Sequence, residues 1–127
     1  MKIKNTAGGV ILTTALLLSS CKTAMASDIS KADIRDVVNS PDVTLVDVRI
    51  PEQYEKGTAK NAINIPLAET QNNTHVLKGK KVVVFCNKGI QADQAVEILK
   101  QNGVDVYDGT SWENVRAIQN EKRSSQP

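Results

Sequence analysis

Apolar positions along the chain alternate between short continuous runs and helically spaced stripes. Runs rich in β-branched residues predict four strands, at 44–48, 62–65, 82–85 and 104–107. Helical spacing and stop signals predict helices over about 31–39, 51–57, 91–101 and 112–118, with a polar loop and one helical turn over 68–79. This alternation predicts an α/β fold, a doubly wound and mostly parallel sheet of about five strands with helices on both faces.

Individual residues sharpen these boundaries. Ser30 and Asp33 have the spacing of a capping box, so we expect Ser30 to cap the first helix. Pro51 suits the first turn of the second helix, and Gly103 ends the third. The run 82–85 is apolar throughout, which is typical of a central parallel strand covered on both faces.

The first 26 residues have the features of an export leader. A basic start precedes an apolar run of about 12 residues, Ala7–Leu18, which is shorter than a membrane-spanning helix. Two processing sites compete: 18–21 resembles a lipobox that would lipidate Cys21, and 24–26 is an A-x-A site for the ordinary signal peptidase. We therefore expect a periplasmic domain at 27–118 with a polar tail at 119–127, either free or anchored through Cys21.

Charge and composition limit the partners. The formal charge is +2, but three lysines lie in the leader, so 13 basic residues face 14 acidic ones once the leader is removed. This near-balance gives no electrostatic reason to expect nucleic acid, and it leaves a lipid anchor as the one expected contact with a membrane. We expect a monomer.

Cysteine and histidine are too few for several kinds of site. Cys21 and Cys86 are the only cysteines and His75 is the only histidine. This excludes a disulfide framework, a C-x-x-C redox motif and the usual zinc ligand sets. We expect no metal and no cofactor.

Cys86 is the candidate nucleophile because it directly follows the most apolar strand. Ligands of parallel sheets bind at the carboxyl ends of strands, where loops enter helix N-termini. Gly89 permits a tight turn in which backbone N–H groups converge, and Lys88 adds a positive charge. We expect this turn to favour the thiolate of Cys86 and to hold an anion beside it.

Four ordered segments resemble the rhodanese homology domain over about 29–115. They are Leu45-Val46-Asp47-Val48-Arg49, Pro51-Glu52-Gln53-Tyr54-Glu55-Lys56-Gly57, Ala62-Ile63-Asn64-Ile65-Pro66-Leu67 and Cys86-Asn87-Lys88-Gly89-Ile90-Gln91-Ala92. The residues of these motifs are most similar to those of exported single-domain members of that family. The resemblance implies thiosulfate:sulfurtransferase activity through a persulfide on Cys86, with no cofactor.

The resemblance also implies roles for individual residues. The substrate-binding loop would consist of Asn87, Lys88, Gly89, Ile90, Gln91 and Ala92, and Asp47 with Arg49 would brace the neighbouring loops. Gln91 and Ala92 stand where many members have Arg and Ser, so anion binding would depend more on backbone N–H groups and Lys88. The G-G-x-x-x-W region of the family is reduced to 109–112, where we expect Trp112 to pack in the core.

Two other functions use a cysteine at the same place in this fold. A phosphatase of the same fold needs C-x(5)-R to grip phosphate, and Ala92 occupies the arginine position, which argues strongly against it. The other alternative is a persulfide carrier or partner-binding rhodanese module of the cell envelope with little turnover. The sequence does not decide between this carrier and an enzyme that passes sulfur from thiosulfate to cyanide or a thiol.

Overall fold

The computed structural model describes residues 32–124. The leader, both of its processing sites, Cys21, Ser30 and the last three residues lie outside the described residues. Within 32–124, no helix has the length and apolarity needed to cross a membrane.

Helices and strands alternate as the sequence predicts. In chain order they are α1 (Ile34–Val38), β1 (Val43–Asp47), α2 (Pro51–Lys56), β2 (Ile63–Asn64), α3 (Leu67–Thr70), α4 (Thr74–Leu77), β3 (Lys81–Cys86), α5 (Ile90–Gln101), β4 (Asp105–Ser111) and α6 (Trp112–Ser124). A 3-10 turn at Gln71–Asn73 joins α3 to α4.

The strands form one parallel sheet in the order β2-β1-β3-β4. Residues 32–124 thus contain four strands rather than about five, and they are the four that the apolar runs predict. β3 lies between two neighbours, and its residues 82–85 are fully buried, which confirms the prediction of a central strand covered on both faces.

Side chains alternate along the strands and so divide the core into two layers. Val82 and Val84 pack with Ala95 and Leu99 of α5 on one face. On the opposite face, Val83 and Phe85 pack with buried residues of α1 and α6. Helices therefore cover both faces, which confirms the doubly wound arrangement.

Three local expectations were wrong. Asp33, not Ser30, caps α1: its carboxylate accepts the Arg35 N–H over 2.9 Å, and the helix starts at Ile34. The segment expected to be mostly loop forms α3, the 3-10 turn and α4, since buried Thr70 and Leu77 anchor it to the core.

The third difference concerns α6, which continues through the expected polar tail to Ser124. Its last turns remain exposed but have tertiary partners. Glu121 accepts from Arg35 Nε over 3.2 Å, and Lys122 Nζ donates to the carbonyl of Asn39 over 3.3 Å. These contacts with α1 explain why the helix does not end at Ile118.

Candidate active site

Cys86 is the last residue of β3 and is only 2% exposed. Its Sγ accepts the backbone N–H of Gly89 over 2.9 Å and that of Ala92 over 3.4 Å. Both donors lie at the N-terminus of the 12-residue helix α5, whose dipole favours negative charge there. The sulfur thus occupies a position suited to an anion.

The conformation of Gly89 produces this arrangement. It has a left-handed φ of 105° and occupies the N-cap position of α5. A Cβ at this position would lie 3.1 Å from Cγ2 of Thr110, which is tighter than ordinary van der Waals contact. Glycine therefore meets both a backbone and a packing requirement of the turn.

Thr110 of β4 packs beside Cys86 and Gly89. The register between β3 and β4 skips Gly109, so that Val84 pairs with Asp108 and Phe85 pairs with Thr110. Thr110 adopts a φ of 70°, an outlier for a β-branched residue, and its carbonyl oxygen lies 3.7 Å from Cys86 Sγ. The irregularity therefore aims a backbone acceptor at the thiol, a common use of bulges beside functional sites.

A small cavity of about 240 Å³ opens in front of the sulfur. It is lined by Cys86, four residues of the loop that follows it, and one residue of α2: Asn87, Lys88, Ile90, Gln91 and Gln53. Ile90 is 70% exposed at its rim, and Lys88 supplies the only positive side chain among the lining residues.

Backbone donors add to this cavity. The first N–H groups of a helix have no intrahelical partner. In α5, the N–H of Ala92 donates to the sulfur and that of Asp93 donates to the carbonyl of Gly89. Within residues 32–124, those of Ile90 and Gln91 have no protein acceptor, so they remain able to bind an incoming anion.

Asp47 and Arg49 form a buried ion pair directly after β1. Arg49 Nη2 donates to Asp47 Oδ2 over 2.7 Å and to the carbonyl of Gly57 over 2.6 Å. The Thr58 hydroxyl donates to the same carboxylate over 2.8 Å, and the Asn64 amide donates to the carbonyls of both members of the pair. The pair connects three chain segments beside the site.

Trp112 packs against the core as expected and also contacts two arginines. Trp112 is the first residue of α6 and packs against the core layer that contains Val83 and Phe85. The centroid of its ring lies 4.9 Å from the Arg49 guanidinium and 5.3 Å from that of Arg116. These distances are within cation–π range. Trp112 does not line the cavity at Cys86.

A pair of carboxyl groups lies beside Thr110. The pKa of Asp108 is raised to about 6, mainly by burial and then by the hydrogen bond and negative charge of Asp93, although the Thr110 N–H acts in the opposite direction. That N–H donates to Asp108 Oδ1 over 2.8 Å.

Among residues 32–124, no group of three or more His, Cys, Asp or Glu could hold a metal ion.

Comparison with known proteins decides the family. The family described as "Rhodanese-like domain" matches residues 30–115, more than half of the chain. The chain belongs to the rhodanese-like domain family. The matched region includes Cys86, the loop after it and the Asp47–Arg49 pair.

Curated relatives of this rhodanese-like chain differ in their activities. Thiosulfate sulfurtransferase PspE of Escherichia coli is 44% identical over 61 residues, which cover 46% of this chain and 59% of the relative. The tRNA uridine(34) hydroxylase of Rickettsia bellii is 36% identical, with 59% and 33% covered. The chain thus spans 59% or less of the length of these curated relatives.

Solved structures agree on the rhodanese fold. A rhodanese from E. coli solved with anions has a TM-score of 0.54 and 37% identity, covering 57% of this chain and 89% of that one. A rhodanese-related protein from Thermoplasma volcanium has a TM-score of 0.52 and 32% identity, covering 68% and 82%.

The sequence predicted the loop but not two of its neighbours, Gln53, which lines the cavity, and Thr110, whose carbonyl oxygen lies 3.7 Å from Cys86 Sγ. Gln53 lies in α2, the helix that follows β1, and Thr110 lies near the end of β4. β1 and β4 are the strands that flank β3 in the sheet. A signal existed for their approximate location, because carboxyl ends of parallel strands meet at one sheet edge. Of the six loop residues expected to bind substrate, Gly89 and Ala92 do not line the cavity and instead donate N–H groups to the sulfur.

Proposed function

We propose that this rhodanese-like chain is a thiosulfate sulfurtransferase that works through a persulfide on Cys86. The observation that carries the proposal is the pair of backbone N–H groups, from Gly89 and Ala92, that donate to Cys86 Sγ at the N-terminus of α5. Such donors stabilise a thiolate without a histidine base.

In the first half-reaction the Cys86 thiolate attacks the outer sulfur of thiosulfate. The bond between the two sulfur atoms of thiosulfate breaks, and sulfite leaves with the bonding electron pair. The donor is a small dianion, and the cavity at Cys86 has about 240 Å³. The N–H groups of Ile90 and Gln91 and the side chain of Lys88 would bind its oxygens.

In the second half-reaction a thiophilic acceptor attacks the outer sulfur of the persulfide. Cyanide would leave as thiocyanate and a thiol as its own persulfide, and the electron pair of the broken S–S bond returns to Cys86 as thiolate. The N–H groups of Gly89 and Ala92 stabilise this leaving thiolate. Sulfite leaves before the acceptor reacts, so the scheme predicts ping-pong kinetics.

The location of the protein belongs to the proposal. We expect the leader at 1–26 to direct export to the periplasm, with cleavage either at the A-x-A site or before a lipidated Cys21. The domain at 27–118 would then act as a monomer on periplasmic sulfur donors.

The test combines a thiosulfate–cyanide assay with the intact mass of the protein. We expect the unmodified chain to form thiocyanate and, without acceptor, to gain the mass of one sulfur atom. Cys86→Ser should lose both, whereas Cys21→Ser, the matched change at the other cysteine, should retain both. Sulfur transfer that persists in Cys86→Ser would refute the assignment.

The carrier alternative has one observation in its favour, the 2% exposure of Cys86, which limits the access of an acceptor. It predicts that thiosulfate loads Cys86 but that cyanide and small thiols release the sulfur slowly. A stable sulfur adduct without thiocyanate would support the carrier, and rapid turnover would support the enzyme.

A further inference from the structure

A second, larger cavity lies between the segment after α2 and the outer side of α6. It has a volume of about 630 Å³, within the range of ligand pockets, and shares no lining residue with the cavity at Cys86. Its lining includes the cations Lys60, Arg116 and Arg123 and the neutral polar residues Thr58, Gln119 and Asn120. No carboxylate lines it.

The walls of this cavity are held in place by hydrogen bonds. The Gln119 amide accepts the Lys60 N–H and donates to the Lys60 carbonyl, both over 3.0 Å, which fastens the segment to α6. Thr58 is fixed by its hydrogen bond to Asp47. The Arg116 guanidinium lies 5.3 Å from the Trp112 ring centroid, which orients it as well. The backbone of Lys60 and the guanidinium of Arg116 are therefore held in place.

The positive charge of the cavity is not balanced by nearby acids. Among residues 32–124, Lys60, Arg116 and Arg123 form no ion pair. Asp47, which binds the lining residue Thr58, and Glu121, which lies between two lining residues in sequence, already have partners, since Asp47 binds Arg49 and Glu121 binds Arg35. Guanidinium groups bind phosphate and sulfate oxygens through paired hydrogen bonds, and such charge-assisted bonds are about twice as strong as neutral ones.

We propose that this cavity binds a phosphoryl or sulfuryl group that carries more than one negative charge. Lys60, Arg116 and Arg123 neutralise the charge, and the Asn120 amide and the second N–H of the Gln119 amide are available at the wall. The volume exceeds the needs of one phosphate, so the ligand is larger, such as a diphosphate or an anionic headgroup. The site is independent of sulfur transfer at Cys86.

The chain offers a direct readout because Trp112 is its only tryptophan. The probe is pyrophosphate, titrated into the full chain with potassium chloride adjusted to constant ionic strength. We expect a saturable change in Trp112 fluorescence as Arg116 turns toward the ligand, and amide NMR shifts centred on residues 58–60 and 116–123.

Paired variants separate a site from general electrostatics. Lys60→Gln with Arg123→Gln should weaken pyrophosphate binding about tenfold or more, through the loss of two charge-assisted contacts. Lys78→Gln with Lys100→Gln removes the same charge from exposed positions outside the cavity and should leave the affinity unchanged. Equal weakening in both pairs, or no saturable response beyond that to chloride, would overturn the proposal.

Vesicles distinguish the source of the ligand. Sedimentation with phosphatidylglycerol vesicles is compared with phosphatidylcholine vesicles. Both pairs of variants keep the basic leader, so its affinity for lipid is the same in each comparison. A preference for phosphatidylglycerol that the Lys60/Arg123 pair abolishes and the Lys78/Lys100 pair keeps indicates a lipid headgroup. Pyrophosphate binding without this preference indicates a soluble ligand.

Discussion

The backbone N–H of Gly89 donates to Sγ of Cys86 over 2.9 Å, and it does so from a left-handed conformation. This hydrogen bond joins the last residue of β3 to the N-cap of α5. The positive partner of the sulfur is thus a backbone N–H group, whose position depends on the backbone conformation, and not a neighbouring basic side chain. Changes at Gly89 should therefore affect sulfur chemistry as well as fold stability.

Gly89→Ala should slow the loading of Cys86 by thiosulfate. The new methyl group would lie 3.1 Å from Thr110 Cγ2, and alanine disfavours a φ of 105° by about 1–3 kcal/mol. The loading rate is measured by mass spectrometry in single-turnover reactions. Adding Thr110→Ser removes the crowding methyl group and should restore part of the rate.

A second glycine provides the control for backbone strain alone. Gly79 also has a left-handed φ, 80°, but a Cβ there would have nothing within 4 Å. Gly79→Ala should lower stability and leave sulfur loading unchanged. A loading defect in Gly79→Ala as large as that in Gly89→Ala would contradict a specific role of the hydrogen bond.

Arg49→Met should destabilise the fold by about 3–5 kcal/mol, because it leaves the Asp47 carboxylate buried without its cation. Arg35→Met is the matched control: it breaks an exposed pair with Glu121 and should cost about 0–1 kcal/mol. Urea unfolding monitored by circular dichroism measures both. Similar losses in the two variants would show that burial of the pair is not the cause.

Most of the fold could be predicted from local patterns of apolar residues. The strand at 82–85 is apolar at every position because it is covered on both faces, and Cys86 stands out because it ends that strand. The length of α6 could not be predicted in the same way. Its last turns are polar, and their contacts with Arg35 and Asn39 join residues more than 80 positions apart.

The neighbours of the Cys86 loop in other elements could not be predicted from local sequence patterns. Thr110 reaches Cys86 because the β3–β4 register skips Gly109, and no local pattern shows where a register shift falls. The proximity of Asp93 to Asp108 likewise follows from the packing of α5 against β4. These features depend on tertiary pairing, whereas the loop from Cys86 to Ala92 is contiguous in sequence.

The Asp93–Asp108 pair predicts a decrease in stability with rising pH. Asp108 has a folded-state pKa of about 6 against an ordinary value of 3.8, so between these values the folded state binds more protons than the unfolded state. Stability should therefore fall as the pH rises from about 4 to about 6, and the penalty should persist above that range.

Asp108→Asn tests this penalty, because its amide oxygen can still accept the Thr110 N–H. It should raise stability at about pH 7 by an amount on the order of 1 kcal/mol, allowing for solvent screening, and change little at about pH 4. Urea midpoints at both pH values measure the effect. Asp36→Asn, which removes an exposed carboxylate from α1, should not reproduce it, and a stabilisation independent of pH would contradict the assignment.

Gly109 is required by packing rather than by backbone conformation. A Cβ there would lie 2.8 Å from Val83 Cγ1, 2.9 Å from Val115 Cγ2 and 3.1 Å from the Val84 carbonyl oxygen. Gly109→Ala should therefore cost about 1–3 kcal/mol through overpacking. Val115→Ala alone leaves a cavity, which the new methyl group fills in part in the double variant.

The two costs at Gly109 and Val115 should therefore not add. We expect the double variant to be more stable than the sum of the single changes by about 1 kcal/mol, since residues in contact couple in this range. Val96→Ala, on the opposite face of the sheet, is the control and should combine additively with Gly109→Ala. Urea unfolding of the full cycle gives the coupling energy, and equal coupling at Val96 and Val115 would show that contact with the valine methyl group is not the cause.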